Sequence, residues 1–138
     1  MLRAVRRLYV ALLVLGAALS ACGGPSESER VHETVEAFGK ASAAKDYQRL
    51  CDELLAPKLV DEVEAVGLPC EVALRQGLGD VKAPTITIGR IVVTGDSATA
   101  EVRSAAAGEE PSADTLKLVR VEDSWRIASL AGSANGGQ

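Results

Sequence analysis

His32 is the only histidine in the chain and would serve as a general base or a metal ligand if it were partly buried beside a carboxylate. It lies among Glu29, Glu33 and Glu36 at helical spacing, on the wet side of an amphipathic stretch, and reads as a surface residue. Asp46 and Tyr47 form a second candidate, a carboxylate base beside a phenol donor. A helix N-cap accounts for Asp46, and a core aromatic with its hydroxyl at a rim accounts for Tyr47. Asp52 and Glu53 adjoin Cys51 and fit a solvated helix face. Ser97, Ser104 and Ser112 have no histidine to activate them, which removes the usual Ser-His hydrolase. Thr94-Gly95-Asp96-Ser97 lacks the glycine-rich run and following helix of a phosphate loop, and no cofactor is expected. Cys51, Cys70 and one distant histidine give too few ligands at the wrong spacing for a metal site. No catalytic residue is assigned from this set.

Cys22 carries the strongest positional signal. Arg3, Arg6 and Arg7 make a positive head, and Leu8 through Leu19 is an apolar run of twelve residues. That run suits a secretory signal and falls short of the roughly 20 residues that span a bilayer. Its close, Leu19-Ser20-Ala21-Cys22, resembles the lipobox of bacterial lipoproteins. The resemblance implies a signal peptide over residues 1–21, a diacylglycerol on the Cys22 sulfur and cleavage before Cys22, which becomes the mature N-terminus. Two or more fatty acyl chains such as palmitate, at roughly 0.8 kcal/mol per CH2, exceed the marginal membrane binding of a single chain. The expected location is the cell membrane, lipid-anchored on the extracytoplasmic side. With Cys22 acylated, Cys51 and Cys70 remain as a pair in an oxidising compartment. A disulfide between them is expected, with two buried free thiols as the alternative.

Removing 21 residues from 138 leaves 117, enough for one small domain, and losing three leader arginines takes the net charge from −4 to −7. Such a balance opposes binding to nucleic acid or to anionic headgroups. Residues 22–28 read as the lipidated N-terminus and a polar tether, 29–131 as a single domain, and 132–138 as a frayed tail.

The elements follow from periodicity. Ser26 and Glu29 have capping-box spacing, and Val31, Val35 and Phe38 recur at helical intervals, which predicts a helix from about 28 to 44. Asp46 caps a second helix with Tyr47, Leu50, Cys51 and Leu54 on one face. Pro57 opens a third, with Leu59, Val60, Val63 and Val66 inward and Gly67 as its stop. Pro69 opens a fourth carrying Cys70, Ala73 and Leu74. From Pro84 the period becomes two, and a bulge at Gly89 is needed to bring Ile86, Ile88, Ile91 and Val93 onto one face. Gly95-Asp96 is a two-residue turn that sets Val93 against Ala98 and Ile91 against Ala100. Strands are expected over 114–122 and 125–131. A three-residue turn, Glu122-Asp123-Ser124, would pair Val121 with Trp125, Val119 with Ile127, Leu118 with Ala128 and Leu116 with Leu130. Both faces of that hairpin are then apolar, one for the helices and one for the rest of a curved sheet, a ligand or a second subunit. Glu101, Arg103 and Lys117 would form a cross-strand charge ladder.

Helices followed by a bulged antiparallel sheet, with Ala44-Lys45-Asp46-Tyr47 at a helix turn and Ser124-Trp125-Arg126-Ile127 in the last strand, resemble the nuclear transport factor 2-like superfamily, also called SnoaL-like or cystatin-like. The likeness covers about residues 29 to 131. It implies an α+β cone in which N-terminal helices pack on a curved four-stranded antiparallel sheet, sometimes around an open pocket near Tyr47 and Trp125, with frequent dimerisation through the sheet. Small actinobacterial lipoproteins with a similar cysteine pair are the nearest in kind. Two functions remain. One is a membrane-tethered, non-catalytic module that binds an apolar ligand or another envelope protein through the sheet, with a purely structural homodimer as a further possibility. The other is a small isomerase or dehydratase using Asp46 and Tyr47.

Overall fold

In a computed structural model the chain is described over residues 23–129; the leader at 1–21, Cys22, Leu130 and the tail at 132–138 lie outside the described residues. Helix α1 spans Glu27–Ala44 and is set by its first turn. The Ser26 N–H donates to Glu29 Oε2 at 2.6 Å and the Glu29 N–H donates to Ser26 Oγ at 3.2 Å, so the capping box forms. Because Ser26 is the N-cap, Glu27 and Ser28 belong to the helix, which starts one residue before the expected 28. Val31, Val35 and Ala41 are buried along one side. Lys45, at φ 56°, ends the helix by returning its N–H to the Ala41 and Ser42 carbonyls.

Asp46 Oδ1 accepts the Arg49 N–H at 3.1 Å and caps the short helix α2, Tyr47–Arg49. The chain then widens into a single π-type turn, Leu50–Leu54, closed by the Leu55 N–H on the Leu50 carbonyl at 2.9 Å. Leu50, Cys51 and Leu54 are all buried as a result. Helices α3, Pro57–Glu64, and α4, Cys70–Leu78, follow as their prolines predict. Val66 departs from expectation: α3 ends before it, and its side chain is 73% exposed. Gly67 takes φ 87° at this stop, with its N–H on the Glu64 carbonyl. Among the described residues no helix is long and apolar enough to cross a membrane.

Strands β1, Thr85–Thr94, β2, Ser97–Ala105, β3, Ser112–Val121, and β4, Ser124–Ser129, lie in sequence order in one curved antiparallel sheet. The β1–β2 register matches the expectation: Val93 faces Ala98, Ile91 faces Ala100, and one extra residue between Ile88 and Ile91 makes the bulge. Ile86, Ile88, Ile91 and Val93 consequently all pack on the core.

The last hairpin corrects the expectation. Val121 pairs with Ser124 across a two-residue turn, Glu122-Asp123, with Glu122 at φ 56°. Arg120 then faces Trp125 and Leu118 faces Ile127, and a shift beside Lys117 continues the ladder to Ser129. Leu116, Leu118, Trp125 and Ile127 therefore share the buried side. One residue fewer in a turn moves a whole strand to the opposite face, because side chains alternate. The outer side consequently mixes Thr87, Thr99, Thr115, Glu101, Arg103 and Lys117 with Val92, Val119 and Val121, rather than forming a continuous second apolar layer. The three charges face Thr115, Ala113 and Thr99 across the β2–β3 pair, so the expected charge ladder does not form.

The edge of β4 is covered. Leu55 bridges Ile127 in the parallel sense, and the Ala56 N–H donates to the Ile127 carbonyl at 2.8 Å.

Candidate functional site

Two constraints position the helices on the sheet. At the turn end of the sheet, Glu27 Oε2 accepts the Arg120 guanidinium at 2.5 Å and the Trp125 indole N–H at 2.8 Å, while Glu27 Oε1 accepts Arg30 at 3.2 Å. Arg120 lies 5.1 Å from the centre of the Trp125 ring and also pairs with Asp96 at 3.4 Å. Arg30 reaches the Asp123 carbonyl. The hydrogen bond from Trp125 does most to hold the Glu27 carboxyl below its ordinary value; desolvation opposes it, and the charges of Arg120 and Arg30 add to the lowering. Glu29 is lowered by the Ser26 N–H, and Glu36 by Lys40. This is a latch between the first turn of α1 and the turns of the sheet, and no residue in it faces an enclosed space.

At the other side, Cys51 and Cys70 form the expected disulfide, with Cα atoms 6.1 Å apart. The Cys70 N–H donates to Glu64 Oε1 at 3.0 Å, and Lys45 Nζ reaches the Gly79 carbonyl. The disulfide pins α4 against the π turn, and the two hydrogen bonds tie its ends to α3 and to the end of α1. The wall so formed closes a cavity of about 460 Å³ between α1, the π turn, α4 and the far ends of β1, β2 and β3. Its floor is Leu50, Leu55, Leu74, Val102 and Leu116, all buried. Its exposed rim is Gly77, Thr85, Glu109, Glu110 and Ser112. Phe38, Leu78 and Ile86 complete the sides, and Ser42 brings to them a hydroxyl that meets no hydrogen-bond partner among the described residues. An apolar interior with a few polar groups at its mouth is the form of a small-molecule site.

The residues singled out in the sequence fall elsewhere. Asp46 caps α2 and contributes nothing to the cavity lining. Tyr47 is buried in the core with Arg75 5.7 Å from its ring centre, and its hydroxyl has no partner among the described residues. Trp125 is a core anchor, 4% exposed, and borders only a shallow surface groove with Arg30, Glu33 and Glu53. Neither Tyr47 nor Trp125 lines the cavity: the two-residue turn directs Trp125 into the latch, and Tyr47 packs beside Arg75 of α4. His32 is exposed on α1, as read. Among the described residues no group of acidic, histidine or cysteine side chains is arranged to hold a metal ion. The cavity itself left little signal in the sequence, since its floor residues are the same Leu and Val that fill any core.

Residues 71–131 match the protein family described as "Putative lumazine-binding". No curated protein matches the sequence. Among solved structures, the Kfla4162 protein of Kribbella flavida is similar at 20% identity and TM-score 0.51, over 75% of this chain and 86% of that one. A Streptomyces avermitilis protein described as "a putative dehydratase from the NTF2-like family" matches at 20% identity and TM-score 0.51, over 76% and 97%. A Campylobacter jejuni protein described as a "Putative NTF2-like transpeptidase" matches at 13% identity and TM-score 0.51, over 72% and 98%. The fold is thus the nuclear transport factor 2-like α+β cone.

Proposed function

We propose that this protein is an extracytoplasmic lipoprotein, anchored through acylated Cys22, whose cone binds a small apolar ligand without transforming it. The observation that carries the binding reading is the cavity of about 460 Å³, which has a wholly aliphatic floor and carboxylates only at its exposed rim. Its volume lies within the ~300–1,000 Å³ range of small-molecule sites. General acid–base chemistry needs a partly buried titratable group in contact with the substrate, and Asp46 and Tyr47 lie outside the lining. That favours binding over an isomerase or dehydratase. The anchoring reading is supported by the lipobox-like Leu19-Ser20-Ala21-Cys22 and its basic, apolar leader. The outer side of the sheet, where Val92, Val119 and Val121 are interspersed with threonines and charges, gives an apolar partner less to hold than the cavity does.

Titration with the neutral dye N-phenyl-1-naphthylamine tests the site. Saturable fluorescence enhancement is expected for the native protein. It should be abolished by Ala73→Trp, which places an indole in the cavity from α4, while the thermal transition is retained. Absence of saturable binding, or binding indifferent to Ala73→Trp in a folded variant, overturns the reading. Mass spectrometry of the mature N-terminus tests acylation of Cys22 independently.

A further inference from the structure

The ends of the domain are not equivalent relative to the tether. Arg120 binds both Glu27 and Asp96, so the start of α1 lies level with the Gly95-Asp96 turn. The cavity rim is at the far end of the same strands, where β1 begins at Thr85, β2 finishes at Ala105 and β3 begins at Ser112. From Ser97 to Ala105 a strand covers about 27 Å, and from Glu27 to Ser42 a helix rises about 22 Å. The rim therefore stands more than 20 Å from Glu27, where the chain enters α1. The capping box shortens what precedes it, because helical structure begins at Glu27. From residue 22 to Glu27 a fully extended chain reaches at most about 18 Å.

We infer that the anchored domain holds its cavity mouth away from the bilayer, so that ligand enters from the aqueous side and not from the membrane that carries the chain. The inference rests on the anchoring and ligand-binding readings above. Turning the mouth squarely onto the bilayer would require Glu27 to stand farther from the surface than the tether can reach. Charge does not oppose this arrangement: Glu109 and Glu110 accompany Lys82 at the mouth, and Asp96, Glu122 and Asp123 accompany Arg30 and Arg120 at the turns, so neither end carries the clustered positive charge that draws anionic lipid. The ligand class that fits is a small apolar compound dispersed in water or handed over by another protein, rather than a bilayer-resident phospholipid.

Nitroxide labels on the full, acylated protein in vesicles containing a nickel-chelating lipid test the orientation. Asp96→Cys marks the turn end and Ala107→Cys the mouth end; both positions are exposed, and neither lines the cavity. Relaxation by surface nickel is expected to be several-fold stronger at residue 96 than at residue 107. Equal or stronger relaxation at 107 in vesicle-bound protein overturns the inference while leaving the anchor intact. Failure of the protein to float with the vesicles overturns the anchoring reading and the inference with it.

Discussion

Reducing the Cys51–Cys70 bond should destabilise the domain by about 3 kcal/mol. The bridge joins cysteines 19 apart in sequence. On the chain-entropy relation, releasing a loop of that length returns roughly 11 cal/mol/K to the unfolded ensemble, or about 3 kcal/mol at room temperature. Both cysteines are buried, at 9% and 4% exposure, so reduction also leaves two thiols confined in a packed interior. For a domain of this size the loss corresponds to a drop in melting temperature on the order of 15 °C. It is also a large share of the ~5–15 kcal/mol that holds a typical domain folded. The assay is urea unfolding followed by the fluorescence of Trp125, the only tryptophan, with and without a phosphine reductant. With a slope of about 2 kcal/mol per molar urea, the midpoint should fall by about 1.5 M. The Cys51→Ala/Cys70→Ala variant should match the reduced protein and be insensitive to reductant. A midpoint shift below about 0.5 M would refute the reasoning, since it would mean that the loop is restricted even when open. Because the bridge pins α4, which carries Ala73 and Leu74 into the cavity, dye affinity should fall along with stability.

Three further outcomes follow from the sheet and its latch. Glu27 has a depressed folded value, so its contribution is complete above the ordinary 4.5 and is lost as pH falls below that toward the folded value. Unfolding midpoints should decline on acidification in that window, less steeply for Glu27→Gln, and identical slopes would exclude the latch as the cause. Leu118→Ala should cost about 2–5 kcal/mol because Leu118 is fully buried opposite Ile127, whereas Val119→Ala, on the outer side, should cost less than about 1 kcal/mol. Reversal of that order would restore the three-residue turn. Glu122→Gly should raise stability by up to about 1 kcal/mol in thermal denaturation by relieving φ 56°, and a loss would show that another contact holds the turn.

Local chemistry made most of the elements legible. Ser26 and Glu29 fix a helix start through bonds three residues apart, Asp46 caps its own turn, and Pro57 and Pro69 open helices without any help from distant chain. Period-two residues flanking Gly89 and Gly95 likewise determined the bulge and the β1–β2 register, since only that register puts four large apolar side chains on one face. Parity of the cysteines, once one is assigned to lipid, pointed to the pair that the fold joins.

The β3–β4 turn was not legible, because Glu122-Asp123 and Glu122-Asp123-Ser124 are both acceptable turns and each buries an apolar set. The choice between them depends on Trp125 reaching Glu27 and on Leu55 pairing with Ile127, contacts separated by about a hundred and about seventy residues of chain. The cavity was hidden for the same reason. Leu50, Leu74 and Val102 look identical in sequence to a filled core, and only the separation of α4 from the strand ends leaves the space between them empty. Local hydrogen bonding and alternation, properties of neighbouring residues, determined the elements; packing among distant elements decided where the cavity lies and which way it opens.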